Sequence, residues 1–310
     1  MDLMTQSTAY MLLQKKYRDF AAPTVRIKVD GTEIVEKMSG GIVNITVELT
    51  SEYSASACSF DVLGEYLPKQ TDFDSQGCVS KLQIGAKVEV ELGYIQTELV
   101  FVGLITDVEY QFEQSMPPIL HVECMDAKCL LMKTQRIELM GEITLKDAVN
   151  KLLSGGPLRS YLSVKKVDIP GDAKHPRRIS MESDYDFLVR QAQYYGCEFF
   201  IFCGKAYFRK SPAMAMPIME LGIKTGLLSA TLRLQGEKLV KEVQVVGIDP
   251  ENDLSLSGQA ILSGKFSSGA TANKMLSDTR RQYFDPLVTD YSSAKNRAQV
   301  LLNGITSSFG

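Results

Sequence analysis

Apolar and polar residues alternate with a period of two over the first third of the chain, and the alternation returns near the C-terminus after a helical middle. From Pro23 onward, Val25, Ile27 and Val29 fall on one face and Arg26 and Lys28 on the other, with Asp30-Gly31 placed to turn a hairpin. In the next run Val43, Ile45, Val47 and Leu49 alternate with Asn44, Thr46 and Glu48. Cys58, Phe60 and Val62 follow the same pattern, and Val88, Val90 and Leu92 alternate with Lys87, Glu89 and Glu91. Residues 99–108 form a longer run interrupted by Gly103, which predicts a bulge or bend there. Residues 119–124 complete six strands, separated by Gly, Pro, Asp and Ser turns. Such a series predicts a β-sandwich or β-barrel.

The period then changes. Thr144 to Asp147 has the shape of a capping box, Leu145, Ala148, Val149, Leu152 and Leu153 lie at helical spacing, and Gly155-Gly156 ends the run. Residues 161–179 read as loop or weakly extended chain, punctuated by Pro170-Gly171 and Pro176. A second helix opens at Ser183 with Asp186 at the reciprocal capping position; Phe187, Leu188, Ala192 and Tyr195 form its apolar face and Gly196 stops it. Residues 197–202 read as a buried strand, Gly204-Lys205 as a two-residue turn and residues 206–209 as the returning strand. Alternation resumes with Leu228, Ala230, Leu232 and Leu234, continues over 240–248, turns at 249–252 and predicts another strand over 254–262. Residues 263–282 are rich in Ser, Gly and charge and read as a long loop. A closing helix is predicted over Ser292–Asn303, with Ala294, Ala298, Leu301 and Leu302 inward and Gly304 as its cap. At the other end, Tyr10, Met11, Leu12 and Tyr17 suit a short helix, or an arm that orders only on assembly.

Composition narrows the function. With 310 residues, 45% hydrophobic, the chain can build about two domains. Its net charge of −3 carries no basic block, which argues against a dedicated nucleic-acid or membrane-surface binder. No apolar run approaches the ~18–20 residues that span a bilayer. Met1-Asp2-Leu3 does not open a secretory signal, so synthesis and folding in the cytoplasm are expected. The six cysteines, at 58, 78, 124, 129, 197 and 203, contain no CxxC pair and read as reduced, buried small hydrophobes. No zinc site, other metal site or cofactor is expected.

Candidate chemistry is sparse. There is no phosphate loop, no GxGxxG, no HExxH and no GxSxG, and the two histidines, His121 and His175, leave few routes to a Ser-His-Asp arrangement. Paired carboxylates for glycoside hydrolysis would need one acid in an apolar pocket with a partner roughly 5–10 Å away. Glu182, Asp184 and Asp186 cluster, but at a helix start, where acids complement the macrodipole. Glu89 and Glu91 share the outward face of a strand. Phe199, Phe200, Phe202, Tyr207 and Phe208 read as core rather than a stacking platform. No catalytic, cofactor-binding or metal-binding residue is assigned, and a non-enzyme is expected.

A resemblance adds to this picture. Glu182-Ser183-Asp184-Tyr185-Asp186-Phe187-Leu188, followed by Gly196-Cys197-Glu198-Phe199-Phe200, resembles the "ESDWDFL…G" stretch of VgrG-type spike proteins and phage late-control D proteins. Residues 84–94, IGAKVEVELGY, look like that family's "G-x-x-V-x-V-x-x-G-Y" strand, and residues 101–108, FVGLITDV, are similar to its "F-x-G-x-I-x-x-V" continuation. Asp126 with Leu130-Leu131 matches a "D…L" segment, and residues 294–298 resemble its late alanine-rich helix. These motifs follow the family order over residues 24–304.

The resemblance implies a baseplate hub of α+β, mainly β, class: two tail-tube-like β-barrels with a helical insertion between them. The corresponding divisions are an arm over 1–22, a first barrel over 23–130, a middle region over 131–225 and a second barrel part with the C-terminal helix over 226–310. It further implies a homotrimer whose partners are a tail tube protein and a spike protein, within a phage tail or tail-like particle. Assembly contacts are expected from the N-terminal arm and the 263–282 loop. Longer family members continue into a spike domain; here the chain ends at Ser308-Phe309-Gly310, so the spike is a separate polypeptide or the chain is a fragment. The competing expectations are a tail-associated cell-wall hydrolase and a β-rich adhesin or carbohydrate-binding module.

Overall fold

The computed structural model describes residues 7–35, 41–64, 79–114, 116–169, 175–211, 217–223, 225–231, 236–252, 254–262 and 274–306; for 136–143, 164 and 175–180 it describes the backbone alone. The protein is mainly β with a few helices, and the chain divides into two compact units. The first comprises Met1–Arg190 and Glu198–Leu228, the second Gln191–Cys197 and Ser229–Gly310.

In the first unit seven strands form one antiparallel sheet: β1 (Pro23–Val29), β2 (Thr32–Glu33), β3 (Ile42–Glu48), β4 (Ala57–Leu63), β5 (Lys87–Tyr94), β6 (Gln96–Gln111) and β7 (Ile119–Met125), in the order β2-β1-β5-β6-β7-β4-β3. The alternation sets the register. Cys58, Phe60 and Val62 face Cys124, Val122 and Leu120 across β4 and β7, while Ile27 and Val29 face Val90 and Val88 across β1 and β5. These side chains join Phe101 and Ile105 in one contiguous buried cluster. Each fully buried side chain of this size contributes about 1.5–3 kcal/mol. Among the described residues no pairing joins the end strands β2 and β3.

Strand β6 departs from the expectation at Gly103. The extra residues lie on either side of it, at Val100 and Thr106, where the register with β5 and β7 shifts. Gly103 instead permits close packing: a Cβ there would come within 2.3 Å of the Met125 carbonyl and 2.5 Å of the Phe101 ring.

The remaining elements of the middle region are α2 (Lys128–Lys133), β8 (Gln135–Ile143), α3 (Leu145–Leu153), β9 (Val164–Asp168), β10 (His175–Ser183), α4 (Asp184–Tyr195), β11 (Cys197–Phe202) and β12 (Lys205–Lys210). Helix α3 is capped as expected, with Thr144 Oγ1 accepting from the Asp147 N–H. Residues 161–179 are not merely loop: β9 pairs in parallel with β12, and β10 pairs antiparallel with β8, in small sheets where an alternating apolar face is not required. Pro176 is tolerated near the start of β10. The β11–β12 turn is Cys203-Gly204 rather than Gly204-Lys205, both residues being left-handed (φ +49° and +70°) as a type I′ turn requires. Pro170-Gly171 lies outside the described residues.

The second unit is a three-stranded sheet, β14 (Leu254–Ile261), β13 (Glu242–Asp249) and β15 (Arg280–Phe284) in that order, with α5 (Tyr291–Thr306) on one face. Val243, Val245, Leu256 and Ala260 pack there with Ala294, Ala298 and Leu302. Gly258 lets the helix approach, since a Cβ would lie 2.3 Å from the Lys295 backbone nitrogen. Three expectations are corrected. Leu228 and Ala230 form no strand, and Leu228 is fully exposed, no strand among the described residues pairing with this stretch; Leu232 and Leu234 lie outside the described residues. Within the expected 263–282 loop, residues 280–282 open β15, parallel to β13, while 263–273 are outside the described residues. Gly304 does not cap α5, which continues through it to Thr306.

Candidate assembly surfaces

The acids weighed for catalysis are held by local structure. Ser183 caps α4 reciprocally with Asp186: the Asp186 N–H donates to Ser183 Oγ at 3.0 Å, and that hydroxyl donates to Asp186 Oδ2 at 2.7 Å. Glu182 receives Arg190 through both carboxylate oxygens, at 2.6 and 3.2 Å. Asp184 is buried in the first turn of α4, its N–H donating to the Thr134 carbonyl. On β5, Glu91 accepts from Lys28 at 2.7 Å and from Thr97 at 3.0 Å, and Glu89 pairs with Lys87 at 2.7 Å. The Lys28 ammonium holds the Glu91 carboxyl below its usual range. The aromatic group is largely core: Phe199, Phe200, Tyr207 and Phe208 are buried, with Phe200 stacked on Tyr207 at 4.9 Å, while Phe202 is partly exposed.

At the end of β7 lie a buried acid and a buried lysine whose partners the residue pattern did not expose. Asp126 follows β7 and extends its ladder, its N–H donating to the Ser56 carbonyl and its carboxylate accepting the Ser56 N–H at 2.8 Å and the Lys128 N–H at 2.9 Å. Lys128, also fully buried, turns its Nζ to the carbonyls of Glu52, Tyr53 and Ser54 at 3.2, 3.3 and 2.5 Å. The ammonium lies 5.6 Å from the Phe199 ring centroid. Burial pushes the Asp126 carboxyl up and the Lys128 ammonium down from their ordinary values. The centre fixes the β3–β4 turn, and Tyr185 secures the same turn by donating to the Tyr53 carbonyl. The signal was Asp126-x-Lys128, but no local feature reveals that a distant turn supplies three acceptors.

The outward face of the sheet is divided by charge. Lys28, Arg26 and Lys87 on β1 and β5 pair with Glu91, Glu33 and Glu89. Strands β3, β4 and β7 contain no Lys or Arg, and their outward face carries Glu48, Asp61 and Glu123 beside Asp107 and Glu109 of β6. His121 stands among the acids of this face, with Nδ1 2.5 Å from Asp61 and Nε2 3.6 Å from Glu123, and is their counter-charge when protonated. Its role is structural in geometry: a cross-strand ion pair. His175 lies on β10, with its side chain outside the described set.

Two further surfaces are apolar. The N-terminal segment forms helix α1 (Tyr10–Lys16), with no buried residue; Lys16 and Tyr17 both donate to Glu98 on β6. In the second unit, the sheet face opposite α5 leaves Ile248, Ile261 and Phe284 exposed, around a Gln244–Gln282 hydrogen bond. Five cysteines are buried free thiols, and Cys78 lies outside the described residues. Burial pushes Cys58 up to about 12 and Cys129 to about 11. Among the described residues no group of three or more His, Cys, Asp or Glu is placed to hold a metal ion, and no helix is long and apolar enough to cross a membrane.

Comparison with known proteins gives one family and several folds. The profile of the Alg8 N-terminal domain matches residues 20–295. No curated protein sequence matches the chain. Among solved structures, the fold is similar to the 43 kDa tail protein of prophage MuSo2 from Shewanella oneidensis, at TM-score 0.65 and 14% identity, over 93% of this chain and 80% of that one. It is also similar to the tail protein from Neisseria meningitidis MC58, at TM-score 0.59 and 14% identity, over 92% and 77%. Prophage tail protein gp18 from Listeria monocytogenes EGD-e matches at TM-score 0.52 and 9% identity, over 89% and 76%. The chain thus has the fold of phage tail proteins.

Proposed function

The chain belongs to the Alg8 N-terminal domain family, and from its tail-protein fold we propose that it is a structural component of a phage-type contractile tail or injection apparatus, acting as the baseplate hub. Three copies form a ring. Each chain supplies two barrel-like β regions, residues 23–130 and 226–310, so that a threefold object presents a pseudo-sixfold face to a hexameric tail tube and a threefold face to a trimeric spike. The observation that carries this reading is the agreement of fold with tail proteins over most of both chains. The surfaces support it: an acidic sheet face and a half-covered sheet are both available for lateral contacts. An obligate ring of this kind buries on the order of 2,000 Å² or more per interface.

The role is read as architectural rather than enzymatic, because Glu182, Asp186, Glu89 and Glu91 are engaged in caps and ion pairs. Light scattering of the purified protein over a concentration series tests the hub. A mass near three times 34.4 kDa is expected, alone or once the matching spike protein is added. A single-chain mass under both conditions overturns the hub reading.

A further inference from the structure

The N-terminal helix is joined to the first sheet through a turn that its residues do not favour. Arg18, Asp19 and Phe20 follow one another with φ of +47°, +57° and +58°, and Ala22 adds a fourth at +55°. None is glycine, and a residue with a Cβ is strained in this region against its own carbonyl. The turn folds α1 back against the sheet from which it departs.

The contacts made across that turn do not depend on its connection. Glu98 accepts from both Lys16 and Tyr17, and the Tyr17 ring meets the edge of Tyr94 at 6.2 Å. The Thr8 N–H donates to the Ile218 carbonyl at 2.8 Å, and Gly226 (φ +100°) leaves the space occupied by the Tyr10 ring. The lysine and the phenol that donate to Glu98 hold its carboxyl below its usual range. Yet α1 buries none of its residues, and Met11 and Leu12 stand 74% and 61% exposed. A seven-residue helix of this kind is not stable by itself.

We propose that residues 8–17 are an exchange arm, seated on the Glu98–Tyr94 site of their own chain in the isolated molecule and on the same site of a second copy in the assembly. The occupant is a second copy because the complementary seat, an acid and a tyrosine ring matched to Lys16 and Tyr17, is carried by this chain itself. Exchange keeps the contacts of Thr8, Tyr10, Lys16 and Tyr17 with the seat. As residues 18–22 extend, they give up the packing of Phe20 on Tyr10 and Tyr17 and lose their left-handed strain, and short strained hinges of this sort favour swapping. The proposal rests on the reading that the protein assembles with itself.

The test uses full-length chains. Lys16→Cys and Glu98→Cys variants are co-expressed, treated with a short bismaleimide and separated on a denaturing gel. A covalent pair of chains is expected in the mixture and not from either variant or the wild type alone. The double variant in one chain, at high dilution, gives an internal link that verifies folding and seating. Adding Asp19→Gly removes strain from the closed turn and lowers the yield of the pair about fivefold. Adding Asp19→Pro fixes φ near −65° and raises it, because the closed turn becomes inaccessible. Oligomers by light scattering without a covalent pair, in the Asp19→Pro background as well, overturn the exchange and leave the hub reading standing. Single chains with no covalent pair, both alone and with the matching spike protein added, remove both.

Discussion

His121 stands directly opposite Asp61 on neighbouring antiparallel strands β7 and β4, with its Nδ1 2.5 Å from the carboxylate. Asn44 donates to the other oxygen of Asp61 at 2.7 Å, and Glu123 faces His121 from its own strand while Glu109 faces it from β6. The hydrogen bond that its ring N–H donates to Asp61 raises the His121 pKa. Burial alone would raise that of Asp61, but the bonds from His121 and Asn44 outweigh it and the net direction is down. A raised histidine stabilises the fold fully below its unfolded value near 6.5 and loses that contribution as pH rises through the folded value. A lowered aspartate contributes above its unfolded value near 4 and loses it as pH falls through the folded value. The pair therefore acts between these limits. His121→Gln is expected to lower stability by about 0.5–1 kcal/mol near pH 5.5, with the difference from wild type vanishing towards pH 9. Urea midpoints across that range check it; a pH-independent difference would show that packing, not charge, accounts for the loss.

Lys128 supports a larger prediction. Its ammonium serves three carbonyls of one turn, so Lys128→Met keeps much of the volume and leaves Glu52, Tyr53 and Ser54 without that donor. A loss of about 3 kcal/mol is expected. Asp126→Asn is milder, about 1–2 kcal/mol, because one amide oxygen can still accept an N–H. Denaturant titration of the two single variants and the double variant gives the coupling. A double variant equal to the sum of the singles would mean that the two charges act independently.

The N-terminal caps of α3 and α4 were legible from local spacing alone, and the Ser183–Asp186 box is the clearest case. Ser183→Ala should therefore cost about 1 kcal/mol, and Ser183→Asp should recover most of it, as measured by thermal unfolding. Strands with one buried face were equally legible, because Cys58, Phe60 and Val62 must point inward together. The strands that escaped notice are those of small sheets. Residues 164–168 carry two lysines and residues 280–284 begin with two arginines; nothing in such runs separates a strand at an edge from an extended loop. The reverse error arose at Leu228, where alternation was present but, among the described residues, no strand pairs with this stretch and the side chain is fully exposed. Lys128 was hidden for a different reason. A lysine is ordinarily a surface residue, and its three acceptors lie about 75 positions away, at 52–54.

Two glycines of the second unit separate packing from conformational freedom. At Gly258 an added Cβ would lie 2.3 Å from the Lys295 backbone nitrogen and 2.8 Å from the Ala294 side chain, both on α5. The helix would have to lift from the sheet, and Gly258→Ala should destabilise by about 1–3 kcal/mol. At Gly304, within α5, an added Cβ meets nothing within 4 Å. There the methyl group only restricts the unfolded chain and favours helix, so Gly304→Ala should stabilise by about 0.5–1 kcal/mol. Thermal melts of the two variants should move in opposite directions. If Gly304→Ala destabilised instead, the helix would have to end before that residue, and the original reading of Gly304 as a cap would be restored.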